Sequence, residues 1–320
     1  MNPGGILGAA AQTAAVGLGA PGLVGGMRQV RARMEGRAGP GVAQPYRDLR
    51  KLLGKQSITP EGTTVVFAAA PAVIAAATLV IAATIPLATT ASPLDGAADL
   101  LAVVGLLLIG TVSLVLAGLD TGTPFGGMGA SRETTIAALV EPTVLLAVFA
   151  LSIPAGSSNL AVIVADTLRR PSDVLSPAGA LAFAAIVVVI IAETGRLPVD
   201  NPATHLELTM VHEAMVLEYS GPKLAVIEWG AAMRLTVLLG LLVNLFAPWG
   251  VAGRHAGLVG VAAGLAAVAV KVAVAAAALA AGEVYLAKIR LFRVPELLAG
   301  SFLLGLLAVT ASYFLASPQA

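Results

Sequence analysis

The sequence predicts an all-α, polytopic integral membrane protein with about eight transmembrane helices and both termini outside. Three observations carry this. Of 320 residues, 58% are apolar and 12% charged, against about 25% charge in a soluble domain. So little charge cannot cover a globule of this size with a wetted surface, and lipid must solvate much of it. The apolar residues also fall in long unbroken runs, each near the roughly 20 residues a helix needs to cross a hydrocarbon core of about 30 Å. Finally, lysine and arginine are shared unevenly among the intervening loops.

The runs cover about 4–26, 65–90, 99–119, 136–153, 175–192, 224–247, 256–282 and 297–316. They are too long and continuous for barrel strands, which alternate over about 10 residues. The first is glycine-rich and uncharged. It lacks the positive start of a signal peptide, so it is taken as a helix. The second, fifth and eighth hold no charged residue. The fourth holds Glu141, the sixth Glu228 and Arg234, the seventh Lys271, and Glu283 lies just past its end. Charge at membrane depth costs a few kcal/mol or more when it faces lipid. These groups should therefore face the bundle interior, pair with each other or line water.

Orientation follows from the basic residues. With the N-terminus outside, loops falling inside hold 14 Lys/Arg, eight of them in 28–63 and Arg132 in 120–135. Loops falling outside hold three, Arg169, Arg170 and Arg254. The chain reads as a single membrane domain over 1–320, with 28–63 and 193–223 as cytoplasmic loops. No linker divides it and no internal repeat is evident, which counts against a stand-alone carrier.

Several chemistries are excluded. There is no cysteine, so disulfides, thiolate metal sites and cysteine-ligated iron–sulfur clusters are out. Three histidines are too few for the usual bis-histidine haems. A net charge of +1 gives no field for nucleic acid. His205 and His212 are two turns apart on a predicted helix from about Ala203 to Tyr219, roughly 10 Å along its axis, so they cannot share a zinc at about 2 Å. His212-Glu213 begins like a zincin helix, but position 216 is valine. No metal is expected.

Two loops hold the polar chemistry. In the first, Gly39-Pro40-Gly41 signals a turn and PYRDLRKLL from Pro45 reads as a short helix with Tyr46, Leu49, Leu52 and Leu53 on one face. It is either an anchor on anionic lipid or a docking surface. The second, 193–223, holds five carboxylates, and Pro198 and Pro202 break its backbone around Asp200. The acids Glu141, Glu193, Glu207, Glu213, Glu218 and Glu228 form a candidate proton or ion relay, since a broken helix can bring them beside protein and water at membrane depth.

Arg37-x-Gly39-Pro40-Gly41, Gln44-Pro45, Asp48, Lys51 and Lys55 resemble the first cytoplasmic loop of the membrane subunit 1 family of respiratory complex I. Glu193-x-x-Arg196-x-Pro198-x-Asp200 and Glu218-Tyr219-Ser220-Gly221 resemble its long acidic loop. The resemblance implies eight spans and places Arg37, Gln44, Asp48, Arg196, Asp200 and Tyr219 where the family meets its soluble arm. One departure is marked. Where complex I carries a pattern like D-L-P-E-A-E-S-E-L, this chain has Ala203 and His205 in place of two acids. The string DNPATHLELTMVHEAMVLEYSG is similar instead to the membrane anchor subunits of group 4 NiFe hydrogenases of the formate hydrogenlyase kind. That implies a non-catalytic subunit in a cell (inner or cytoplasmic) membrane, anchoring and coupling ions. Its partners would be a hydrogenase-like large subunit, a small Fe–S subunit and an antiporter-like membrane subunit. The chain would carry no cofactor itself, the Fe–S clusters and NiFe centre belonging to those partners. The alternatives are a quinone-chamber subunit of an NADH:quinone oxidoreductase, a stand-alone ion transporter and a purely structural anchor.

Overall fold

The computed structural model describes residues 3–90, 94–200, 210–253 and 256–316. Its helices are, in order, α1 (Pro3–Met34), α2 (Gln44–Leu53), α3 (Val65–Thr84), α4 (Leu100–Asp120), α5 (Pro124–Ala155), α6 (Leu160–Arg169), α7 (Pro171–Val174), α8 (Pro177–Glu193), α9 (His212–Val216), α10 (Gly221–Phe246), α11 (Leu258–Tyr285) and α12 (Val294–Ala316). No strand occurs among the described residues, which hold only two isolated bridges. Six helices, α3, α4, α5, α10, α11 and α12, are long and apolar enough to cross a membrane. The protein is thus all-helical and multi-pass. The remaining two predicted runs also fold as helices, the glycine-rich α1 and the 17-residue α8.

Local chemistry sets the starts. Thr64 accepts from the Val66 amide and caps α3. Ser176 and Pro177 start α8 in the same manner, hydroxyl cap followed by proline, which fits the orphan amides of a first turn. Lipid gives no hydrophobic drive between helices, so close approach of small residues holds such bundles. Gly230 of α10 accordingly abuts Ile74 of α3, and Gly264 of α11 lies against the Ala88 carbonyl.

Contacts between helix ends sort the bundle into two ends. At one end, the start of α3 meets the end of α4 through Asp120, whose carboxylate accepts from Thr64 and from the Phe67 amide. Ser220, before α10, exchanges hydrogen bonds with Ile58. The ends of α1 and α11 meet through Arg31 and Glu283. At the other end, Thr90 and Ala252 pair, and the Leu100 amide reaches the Ser158 carbonyl.

The structure corrects four expectations. First, α5 begins at Pro124, twelve residues before the predicted run. Thr123 caps it, and Arg132 lies in the helix rather than in a loop. Second, α3 stops at Thr84 rather than Thr90, because Pro86 has no amide and forces Ile85 to an extended φ/ψ of −68°/147°. The buried stretch from Ile85 to Thr90 is then held by side chains. Gln12 Nε2 donates to the Ala82 and Ile85 carbonyls, both at 2.9 Å, and Asn244 Nδ2 to those of Pro86 and Leu87. Lys271 donates to Asn244 Oδ1 at 2.7 Å and to the Ala247 carbonyl at 2.8 Å. Third, the predicted helix from Ala203 to Tyr219 is not continuous: among the described residues Met210 and Val211 are not helical, and His212–Val216 forms a turn and a half. Glu207, with Ala203 and His205, lies outside the described residues. Fourth, α10 opens at Gly221, three residues before the predicted run, with Pro222 in its first turn. The short helix after Pro45 is present as α2.

Candidate functional site

The site lies at the end of the bundle where α1, α8 and α11 finish. The last turn of α8 is closed by Gly195, whose φ of +57° suits a residue without a Cβ. The Arg196 amide then donates to the Ile191 carbonyl at 2.9 Å. This turn aims Glu193 and Arg196 in different directions.

Arg196 points to an ionic cluster. Its guanidinium donates to Glu283 of α11 at 2.8 Å, and Arg31 of α1 approaches the same carboxylate at 3.7 Å. Arg31 also holds Glu35, which pairs with Arg37. Arg31, Arg37, Arg196 and Glu283 line a cavity of about 620 Å³ together with Arg28, Gly39, Pro40 and Thr194. Beyond it, Asp200 is buried and accepts from Lys288 at 2.7 Å and from the Val211 amide at 3.3 Å. The Ile289 amide donates to the Pro198 carbonyl. The segment after α11 is thereby stapled to the segment after α8.

Glu193 points inward. Arg234 of α10 donates to its carboxylate, to Thr111 Oγ1 at 2.7 Å and to the Leu107 carbonyl at 3.1 Å. Around this pair lies a smaller cavity of about 90 Å³ lined by Thr111, Glu133, Glu193, Thr194, His212 and Arg234, among others. Glu133 of α5 is buried, and the charges of His212, Arg234 and Asp200 act on it. Glu141, two turns on, also feels Arg234, and its buried Oε1 has no hydrogen-bond partner among the described residues. Thr194 lines both cavities, so a single turn separates the ionic chamber from the interior acids.

Of the predicted relay acids, the structure brings Glu193 to the inner cavity and Glu141 within electrostatic reach of its arginine. Glu228 is exposed on α10 near Arg28, Asp48 and Glu213, away from that cavity. Glu213 and Glu218 are half-buried in and after α9. Of the residues placed at the joint with a soluble arm, Arg37 is 70% exposed, and Gln44 and Asp48 hydrogen-bond each other on α2 at 2.8 Å. Asp200 and Tyr219 are interior instead. The Tyr219 ring stacks on Phe67 at 4.0 Å and its hydroxyl donates to the Phe67 carbonyl at 2.8 Å. Burial, with the Asp120 charge nearby, pushes its phenol above the ordinary value.

Glu133 is the residue that the sequence reading passed over, because the stretch before 136 was taken as a loop. The Thr123-Pro124 pair was the available signal, since a hydroxyl cap followed by proline opens a helix.

The NADH dehydrogenase family matches residues 9–313 of the sequence. The chain belongs to this family, in its complex I subunit 1 type. Among its relatives, formate hydrogenlyase subunit 4 of Escherichia coli (strain K12) is 38% identical over 72% of this chain and 74% of its own length. Hydrogenase-4 component C of the same strain is 38% identical over 72% of each chain. NADH-quinone oxidoreductase subunit 8 of Rhodothermus marinus is 30% identical over 70% of this chain and 67% of its own. The fold matches a chain in the structure of the membrane-bound sulfane sulfur reductase, an archaeal respiratory membrane complex. There the TM-score is 0.82 at 21% identity, covering 96% of this chain and 98% of that one.

Proposed function

We propose that this chain is the membrane anchor and ion-coupling subunit of a formate hydrogenlyase or NiFe-hydrogenase-type oxidoreductase complex. One observation carries the reading. An arginine-lined chamber at one end of the bundle adjoins, across Thr194, a buried cavity holding Glu133, Glu193 and Arg234. Electron transfer in a soluble arm seated over the chamber changes the field at Arg196. The Glu193–Arg234 pair, a turn away, responds by shifting its charge balance, and Glu133 and Glu141 gain or lose a proton. The higher identity to the formate hydrogenlyase and hydrogenase-4 subunits than to the quinone oxidoreductase subunits favours that kind of complex. A large hydrogenase-like subunit, a small Fe–S subunit and an antiporter-like membrane subunit are the proposed partners. The redox centres then belong to those partners. The proposed location is the cytoplasmic membrane, with both termini outside, the arginine chamber inside and the whole chain acting as one membrane domain.

The test is gradient formation alongside electron flux in proteoliposomes holding the whole complex. Glutamine keeps the shape of glutamate and removes its titrating proton. Glu133→Gln and Glu141→Gln should leave the complex assembled and lower the ions moved per electron severalfold. Wild-type pumping in both variants would make these acids structural. Arg37→Glu should weaken retention of the soluble arm with little effect on the stability of the membrane subunit, as a rim charge does.

A further inference from the structure

A second cavity runs alongside the site. It is a groove of about 470 Å³ between α1 and α11, backed by Thr236 and Gly240 of α10. On α1 its lining extends from Gln12 to Val30, about 27 Å at the helical rise and longer than one leaflet of about 15 Å. Its polar residues are turned away. Gln12 spends its amide on the backbone at Ala82, Ile85 and Ala88, and the Thr236 hydroxyl bonds the Ala232 carbonyl. The wall is therefore apolar and offers hydrocarbon contacts only.

The groove adjoins the arginine chamber, because Met27 of α1 lines both. The chamber lining carries Arg28, Arg31, Arg37 and Arg196 with Glu283, while Glu35 and Asp48 pair with these arginines from outside the lining. Arg28 has only a 3.9 Å approach to Asp48, and both it and Arg37 are more than half exposed. The buried Nε of Arg196 has no hydrogen-bond partner among the described residues. An apolar slot beside a guanidinium cluster matches an amphiphile with an anionic head. Guanidinium and phosphate pair bidentately, and arginine is the side chain suited to that geometry. Four guanidinium groups face three carboxylates, Glu35, Asp48 and Glu283, so a neutral head would leave the surplus positive charge uncompensated, and an acidic peptide would leave the groove unfilled.

We propose that groove and chamber together bind one anionic phospholipid, an acyl chain lying between α1 and α11 and the phosphate held by Arg28 and Arg37. This rests on the membrane placement of α1 and α11 proposed above, but not on ion coupling. The lipid head would fill part of the joint between the membrane subunit and a soluble arm.

The full chain, purified and stripped of lipid, is reconstituted into nanodiscs of equal parts phosphatidylglycerol and phosphatidylcholine. After re-extraction, the retained phospholipid is counted by native mass spectrometry. Expected is one phosphatidylglycerol per chain in preference to phosphatidylcholine. The double variant Arg28→Gln/Arg37→Gln should lower its occupancy by roughly tenfold or more. Gly19→Leu and Gly26→Leu test the groove with the arginines intact. A Cβ at either glycine meets nothing within 4 Å, so the added side chain starts into open space at a residue that lines the slot. Each should lose the lipid while keeping wild-type helicity by circular dichroism. Equal retention of the two lipids overturns the proposal, as does undiminished retention in both leucine variants. The second outcome would mean that the lipid is held without the groove. Ion movement is not part of this readout, so a lipid result stands whether or not the coupling reading does.

Discussion

The Arg234 guanidinium is the charge on which the interior depends most. Its side chain and that of Glu193 are 13% and 4% exposed. Arg234→Met strands a buried carboxylate, which costs about 3–5 kcal/mol. Adding Glu193→Gln should return much of that loss, because the orphaned charge goes too. Thermal unfolding in detergent of the single and double variants measures this. Tyr219 offers a milder test. Phenylalanine keeps the stack on Phe67 and removes the hydrogen bond to its carbonyl, a loss of about 1 kcal/mol. The phenol binds its proton more tightly folded than unfolded, so its contribution is complete below the ordinary tyrosine value of about 10 and fades as pH rises beyond it. The gap between wild type and Tyr219→Phe should therefore shrink in alkali, followed by the same melts.

At the level of elements, the contact between α1 and the loop before α2 sets the roof of the chamber. A Cβ on Gly25 would overlap the Val42 carbonyl, and backbone cannot yield as a flexible side chain does. Gly25→Val should pry that loop off α1. Trypsin would then cut after Arg47 and Arg50 faster than in the wild type, while the rest of the bundle resists. The same elements mark what a sequence can disclose. Uninterrupted apolar runs announce α3, α4, α8 and α12 because lipid selects composition directly. The start of α5 is hidden, since its first turns carry Gly126, Gly127, Gly129, Arg132 and Glu133 and so read as polar loop. Gly126, Gly129 and Glu133 are buried within the protein, and hydropathy cannot tell protein-facing from lipid-facing or loop residues. The segment 193–220 stood out as a candidate site from its density of acids. The conformation of its described residues was not legible, because it is set by single long-range contacts such as Asp200 with Lys288 and Tyr219 with Phe67. Nothing in local spacing encodes them. Equally, Glu228 looked intramembrane by position, yet its face of α10 turns from the inner cavity.

For the whole molecule, the two bundle ends differ in charge as well as in contacts. The excess of lysine and arginine lies at the end bearing the chamber, which predicts the cytoplasmic side. Cysteines placed singly at Ser57 and Ser172, both exposed and at opposite ends, should label with an impermeant reagent from opposite faces of sealed vesicles. Labelling of both from one face would overturn the topology. A last consequence belongs to the turn from Glu193 to Arg196, which forms a wall common to both cavities. A shared wall cannot transmit in one direction only. If electron transfer beside Arg196 shifts proton occupancy at Glu133 and Glu193, then proton occupancy there shifts the midpoint potential of the nearby redox centre by the same free energy. An opposing ion gradient would then act as a brake on electron flow, through a helical turn of four residues.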